Sequence, residues 1–332
     1  MRDLSGSLRD YLASRYPGAE LEDFEFLTSG FESDVYALAL RLPGELLQRL
    51  ILRLYPGEGA TAKMVKEGEG LLRLHEAGFP APALFLFEPD PAYLGKPFSI
   101  IEKLEGRPLW SVLAGAEPVL AQDYLEKFGG LIAHLHRLDW RPFTPKARQY
   151  QVTPVQAVRD VLAAFRLEYI RFGVPGFLAI LDWFESRLPE IQVRPAVVHL
   201  DLHANNVFLG HDGRLALIDW TQIAVTDYRL DLTWTLLIMG DFGQPAWSEQ
   251  ILQAYRRAAG YPVDQLDYFN VLTWTKLLAS RIIGLKTDPA QLGMRPETAQ
   301  SLEQQRPVLK LLSERIRDLT GLTVSEVDTL VG

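Results

Sequence analysis

The stretch His199-Leu200-Asp201-Leu202-His203-Ala204-Asn205-Asn206, followed by Ile218-Asp219-Trp220, decides how this chain is read. It lies among short apolar runs: Ala196-Val197-Val198 before it, then Val207-Phe208-Leu209 and Leu215-Ala216-Leu217-Ile218 after it. Gly210-His211-Asp212-Gly213 is a turn, so the last two runs fold back on each other as a hairpin. That brings Asp219 beside the loop carrying Asp201 and Asn206. A carboxylate, an amide oxygen and a second carboxylate converging on one point are hard oxygen ligands, suited to Mg²⁺ with bound phosphate. Zinc on His199 and His203 would require both on one helical face, and the loop composition opposes a helix there. A lone Asp or Asn in a loop is ordinarily a turn former. Three of them at these offsets point to chemistry.

Outward from this stretch the chain divides into two kinds of sequence. Before it, residues 24–29 and 35–42 flank the polar turn Ser29-Gly30-Phe31-Glu32-Ser33-Asp34 and read as a hairpin. Leu50 to Tyr55 is a third strand stopped by Pro56-Gly57, and residues 61–76 form a helix ended by Gly78. Phe98 to Ile101 is another buried strand. After Gly106 long helices dominate. In residues 118–138, Leu120, Tyr124, Phe128, Leu131 and Leu135 make one apolar stripe, and residues 152–170, 176–187, 247–259, 264–284 and 297–318 also read as helices. The expectation is an α+β fold of two lobes. A small β-rich N-lobe takes residues 1–104, and a mostly helical C-lobe takes residues 105–332.

The pattern His-x-Asp-x-x-x-x-Asn, with Ile-Asp-Trp following, resembles the catalytic loop and metal-binding motif of the aminoglycoside phosphotransferase and choline kinase group. These are small-molecule kinases of protein-kinase-like fold. Leu27 to Tyr36 is similar to the family's nucleotide-loop hairpin, and Leu52-Arg53-Leu54 to its third strand. Glu67 precedes Gly78-Phe79-Pro80-Ala81-Pro82 as the family's helix glutamate precedes its Gly-x-Pro-x-Pro turn. Ile101 to Gly106 is similar to the hinge, and Asp227-Tyr228-Arg229-Leu230-Asp231-Leu232 to the Gly-Asp-Pro-x-x-Asp-Leu segment. The matches run in order from residue 27 to residue 232.

The resemblance implies a role for each of these positions. Asp201 would accept the proton of the acceptor hydroxyl or orient it, and Asn206 and Asp219 would hold Mg²⁺ against the nucleotide phosphates. Arg53, paired with Glu67, would contact the α- and β-phosphates. Backbone amides from Gly30 to Ser33 would cover the phosphates, while Glu102 through its carbonyl and Leu104 through its amide would bind adenine. His199 would pack the loop against Asp231. ATP is the implied donor, with GTP as the alternative nucleotide. Three positions depart from the pattern. Leu200 and Asn205 stand where glycine is common, and Arg53 replaces the lysine of protein kinases. Asn tolerates a left-handed backbone, which makes its change mild.

Composition sets the frame. The chain has 332 residues, 48% hydrophobic and 23% charged, with a net charge of −8 and no cysteine. Ordinary globular usage excludes global disorder. The absence of cysteine removes disulfides, thiolate metal sites and cysteine nucleophiles. The acidic balance gives no general attraction to nucleic acid or anionic membranes. The N-terminus has an early acid and no apolar h-region, and no apolar run reaches the roughly 20 residues that span a bilayer. A cytoplasmic protein acting on a hydroxyl of a small molecule, an amino sugar, amino alcohol or similar, is expected. Two other readings of the motif exist. A protein kinase needs a long activation segment, yet only seven residues separate Asp219 from Asp227. A non-catalytic nucleotide-binding module predicts loss of Asp201, Asn206 or Asp219. Asp160, Glu168, Asp182 and Asp241 could attract an aminated acceptor or form a solvated surface, and Trp220, Trp234 and Trp274 read as core.

Overall fold

A computed structural model describes residues 3–29, 33–144, 153–287 and 306–327. The chain forms two compact units, one of residues 1–121 with 204–223 and one of residues 122–203 with 224–332.

The first unit opens with α1 (Leu4–Arg15), capped by the Asp3 carboxylate on Ser5 N–H at 3.1 Å. Five antiparallel strands follow: β1 (Glu20–Ser29), β2 (Asp34–Arg41), β3 (Gln48–Leu54), β4 (Leu84–Glu88) and β5 (Phe98–Glu102), in the order β1-β2-β3-β5-β4. Strand alternation decides what each face meets. Leu50, Leu52 and Leu54 of β3 join Leu8, Tyr11 and Leu12 of α1 in one core. Arg53 and Tyr55 point the other way. Helix α2 (Ala60–Glu76) buries Met64, Glu67, Leu71 and Leu74, one stripe at helical spacing with a carboxylate set into it. Leu72, next to Leu71 in sequence, turns off that stripe and is exposed at 44%.

Strand β6 (Arg107–Pro108) and helix α3 (Leu109–Gly115) come next, then α4 (Pro118–His136). β6 pairs with β8 (Val207–Leu209), which pairs with β9 (Leu215–Leu217). The expected hairpin is present, in the register Val207↔Leu217, Phe208↔Ala216 and Leu209↔Leu215. Gly106 makes this approach feasible. A Cβ there would stand 2.4 Å from the Leu209 carbonyl oxygen, and its φ of 152° is one that L-residues rarely adopt.

The second unit is helical. Helices α5 (Pro154–Arg171), α6 (Leu178–Arg187), α7 (Arg229–Asp241), α8 (Pro245–Ala259), α9 (Leu266–Lys286) and α10 (Arg306–Thr320) surround a two-stranded sheet of β7 (Pro195–Val198) and β10 (Ala224–Asp227). One core gathers Leu162 of α5, Phe184 of α6, Leu237 of α7, Phe269 of α9 and Leu312 of α10. Among the described residues no helix is long and apolar enough to cross a membrane.

Gly106→Ala is expected to destabilise the first unit by about 1–3 kcal/mol, through a main-chain clash added to backbone strain. Gly95→Ala is the control: its φ is also positive, at 81°, but nothing lies within 4 Å of the added Cβ. Urea unfolding should show the larger loss for Gly106→Ala.

Candidate active site

In the first unit, Arg53 is 7% exposed and lies between two carboxylates. Its Nη1 donates to Glu67 Oε1 at 2.6 Å, its Nη2 to Asp219 Oδ1 at 3.0 Å and its Nε to Ser33 Oγ at 3.2 Å. Tyr55 OH donates to Glu67 Oε2 at 2.5 Å and meets Ser99 Oγ at 2.9 Å. Burial acts against the guanidinium charge, but Glu67, Tyr55 and Asp219 outweigh it and raise the Arg53 pKa. Burial and then Glu67 push the Tyr55 phenol upward, so it remains a neutral donor. The expected pairing of Arg53 with Glu67 is present. Tyr55 and Ser99 were not foreseen, although Tyr55 follows Arg53 at strand period two, which puts both on one face.

Asn206 ends a 3-10 turn (Ala204–Asn206), and its carbonyl accepts Ile218 N–H at 2.8 Å. The hairpin therefore places Asn206 opposite the residue before Asp219. Asp219 has φ 64°, a left-handed conformation that Asp tolerates, and Thr221 Oγ1 donates to its Oδ1 at 3.2 Å. An amide and a half-exposed carboxylate fit Mg²⁺, which takes few protein ligands and keeps water and phosphate for the rest. Among the described residues, no group of three or more His, Cys, Asp or Glu is placed to hold a metal ion.

At the hinge-like segment, Glu102 N–H donates to Ala83 O at 2.8 Å and Lys103 N–H to Arg49 O at 3.0 Å. Both amides are engaged by the sheet, and Leu104 supplies the next one. Gly30 lies outside the described residues, and the Ser33 hydroxyl is turned onto Arg53.

In the second unit, Asp231 is fully buried and holds the main chain of the loop. Its Oδ2 accepts His199 N–H and its Oδ1 accepts Leu200 N–H, both at 2.6 Å, and His136 Nε2 meets Oδ2 at 3.3 Å. The expected link between His199 and Asp231 thus runs through the backbone. Thr235 Oγ1 donates to Leu202 O at 2.8 Å. Leu200 has φ 64°. Asn205 does not share that conformation and sits in the 3-10 turn, so the left-handed strain falls on leucine and not on asparagine.

Asp201 Oδ1 accepts Trp234 Nε1–H at 3.1 Å and lies 3.4 Å from His203 Nε2. Burial acts to raise its pKa, but the His203 hydrogen bond and charge, with Lys276 and His199, bring it down to about 2. Trp234, read from sequence as core, is in addition a donor to Asp201. The acidic residues singled out in the helices are engaged locally. Asp182 pairs with Arg166 at 2.6 Å, Asp241 with Arg315, and Asp160 accepts from Gln156 at 2.9 Å. Burial raises the Glu168 pKa and Lys276 opposes the shift.

A β-sheet unit with a buried Arg–Glu pair and a helical unit holding an Asp-bearing loop define the kinase-like class. The model of the phosphotransferase enzyme family, APH, matches residues 23–266, and the chain belongs to that family. It is a small-molecule kinase. Solved structures share the fold. A candidate aminoglycoside phosphotransferase from Ralstonia eutropha is 17% identical with TM-score 0.73, covering 95% of this chain and 98% of that one. Choline kinase from Streptococcus pneumoniae is 17% identical with TM-score 0.59, covering 94% and 99%. A streptomycin–ATP ternary complex of an aminoglycoside phosphotransferase, APH(2″)-IIa, is 14% identical with TM-score 0.59, covering 88% and 94%. No curated protein matches.

Two measurements check this geometry. Glu67→Ala leaves a buried guanidinium short of a counter-charge and should cost about 3–5 kcal/mol in urea unfolding at neutral pH. Asp201 should titrate near pH 2 by carboxyl NMR, against an ordinary value of 3.8. A depressed folded pKa stabilises the fold above the unfolded value. That stabilisation is lost as pH falls from about 4 toward 2, and Asp201→Asn should flatten this part of the acid limb.

Proposed function

We propose that the chain transfers the γ-phosphoryl group of ATP to a hydroxyl of a small molecule, assisted by Mg²⁺. Residues 1–104 bind the nucleotide, and residues 105–332 carry the catalytic loop and the acceptor site. The observation that carries the reading is the Arg53 guanidinium held between Glu67 and Asp219. Phosphoryl transfer depends on positioning and charge neutralisation, and a cation fixed in this way beside Asp219 suits that task. Family membership and the ATP bound in the streptomycin complex of a fold neighbour support the choice of donor. GTP is the alternative. Since ATP is the donor, the cytoplasm is the place of action.

The roles follow from chemistry. Glu102 carbonyl and Leu104 N–H hold adenine, and amides around Gly30 and Ser33 cover the phosphates. Asn206 and Asp219 hold Mg²⁺, which neutralises phosphate charge when bound. Asp201 stands five residues before Asn206 in the chain, which suits an acceptor hydroxyl beside the transferred phosphoryl. A carboxylate with pKa about 2 is a weak base toward a free alcohol. Asp201 therefore orients the hydroxyl first and takes its proton late, once the forming P–O bond has made that proton acidic. Asp182 and Asp241 are paired with arginines, so the claim rests on an alcohol and not on an ammonium group of the acceptor.

Asp201→Asn keeps size and removes the proton acceptor. Turnover should fall about 10²- to 10⁴-fold while ATP affinity changes little. A panel of hydroxylated compounds, assayed for ATP turnover with and without Mg²⁺, supplies the measurement. Survival of turnover within a few-fold would remove Asp201 from the reaction. Loss of ATP binding in a folded Asp201→Asn protein would move it to the metal site.

A further inference from the structure

The plane between Leu200 and Asp201 is one rigid peptide, and its two ends are held by different side chains. Its carbonyl, Leu200 O, accepts Lys276 Nζ–H from α9 at 2.7 Å. Its amide, Asp201 N–H, faces His199 Nδ1 at 3.3 Å. The peptide before it is pinned by Asp231 through Leu200 N–H. Leu200 thus carries a φ of 64° between two anchored peptides. An L-residue with a large side chain disfavours this region, and glycine enters it freely.

Lys276 reaches the Asp201 carboxylate by a second route. Its ammonium lies 4.4 Å from the centre of the Trp234 ring, and Trp234 Nε1–H is the donor to Asp201 Oδ1. One cation therefore fixes the peptide that aims Asp201 and also the indole that orients its carboxylate. Asp231 fixes only the amide side of Leu200. Without Lys276, only the longer Asp201 N–H contact with His199 Nδ1 holds that plane, and relaxation of Leu200 toward negative φ carries the plane with it.

We propose that Lys276 is the positioning residue of the catalytic loop, holding Leu200 in a conformation that a glycine would adopt unaided, so that Leu200 and Lys276 form a compensating pair. The proposal rests on the reading of Asp201 given above for what the positioning achieves, but its geometric core does not. Lys276 acts through Asp201 and makes no claim on the acceptor.

The experiment is a double-mutant cycle on the full chain, read in two ways. The first reading is the Trp234 indole N–H signal in tryptophan-¹⁵N-labelled protein, picked out from the seven tryptophans by Trp234→Phe. The second is the turnover of ATP with Mg²⁺, with water as acceptor until an alcohol is found. Lys276→Met should move the indole signal and lower kcat about 10- to 100-fold, with KM for ATP within about twofold, as expected for a misplaced reacting group. Lys276→Arg, which keeps a donor and a charge over the indole, should hold both readings, with kcat within about threefold. Leu200→Gly tests the pairing: on that background, Lys276→Met should cost less than about threefold in kcat and move the indole signal by less than it does beside Leu200, leaving only the loss of the ammonium over the ring. Lys276→Leu, which likewise removes the donor, replaces Lys276→Met if the latter does not fold.

An equal loss from Lys276→Met on both backgrounds would overturn the proposal, because Lys276 would then act independently of the Leu200 backbone. A raised KM with unchanged kcat would overturn it too, making Lys276 a binding group. An unmoved indole signal would do the same. If no phosphoryl transfer is found with any acceptor, the proposed function fails, and the indole cycle still decides whether Lys276 and Leu200 are coupled.

Discussion

A carboxylate shut away from water organises the helical unit. Asp231 can remain there only because its oxygens accept two main-chain N–H groups and face an imidazole. Those donors belong to His199 and Leu200, so the satisfaction of a buried charge and the course of the loop are one constraint. The cost of an unpaired carboxylate inside α7 leaves the loop little freedom. Asp201 inherits its position from that anchoring and its low pKa from the histidines and the lysine around it.

The sheet unit solves a similar problem with a cation. Arg53 projects from the face of β3 opposite the apolar one, where α2 presents Glu67 within its buried stripe. Packed apolar groups in place of both partners would hold the fold as well, so stability alone does not account for the pair. The fork geometry of arginine also lets one side chain meet Glu67, Asp219 and Ser33 together, which a lysine ammonium could do only as a point charge.

Comparison at 14–17% identity says that the fold tolerates wide change in sequence, so it leaves the acceptor open. The features of this chain that bear on its loop are local: leucine at a left-handed position, a lysine on the adjoining carbonyl, and carboxylates in the helices paired with arginines.

The sequence by itself determined the elements whose signals are short-range. The β8–β9 hairpin followed from turn residues between apolar runs, β3 from its apolar run, and α2 and α4 from apolar periodicity. The trio Asp201, Asn206 and Asp219 was singled out by its offsets, and the Arg53–Glu67 pair, present in the structure, followed from the family resemblance. Helix α7 was not, because it is buried on nearly every side and so shows no amphipathic period. Helix α1 was missed because its buried stripe is only Leu8, Tyr11 and Leu12. Tertiary structure alone decided that Leu200, and not Asn205, takes the left-handed turn, and that Trp234 and Lys276, 33 and 76 residues beyond their loop partners, complete the surroundings of Asp201. Their role depends on the packing of α7 and α9 around the loop, and no local pattern of residues records which distant helix will supply a donor to a given carbonyl.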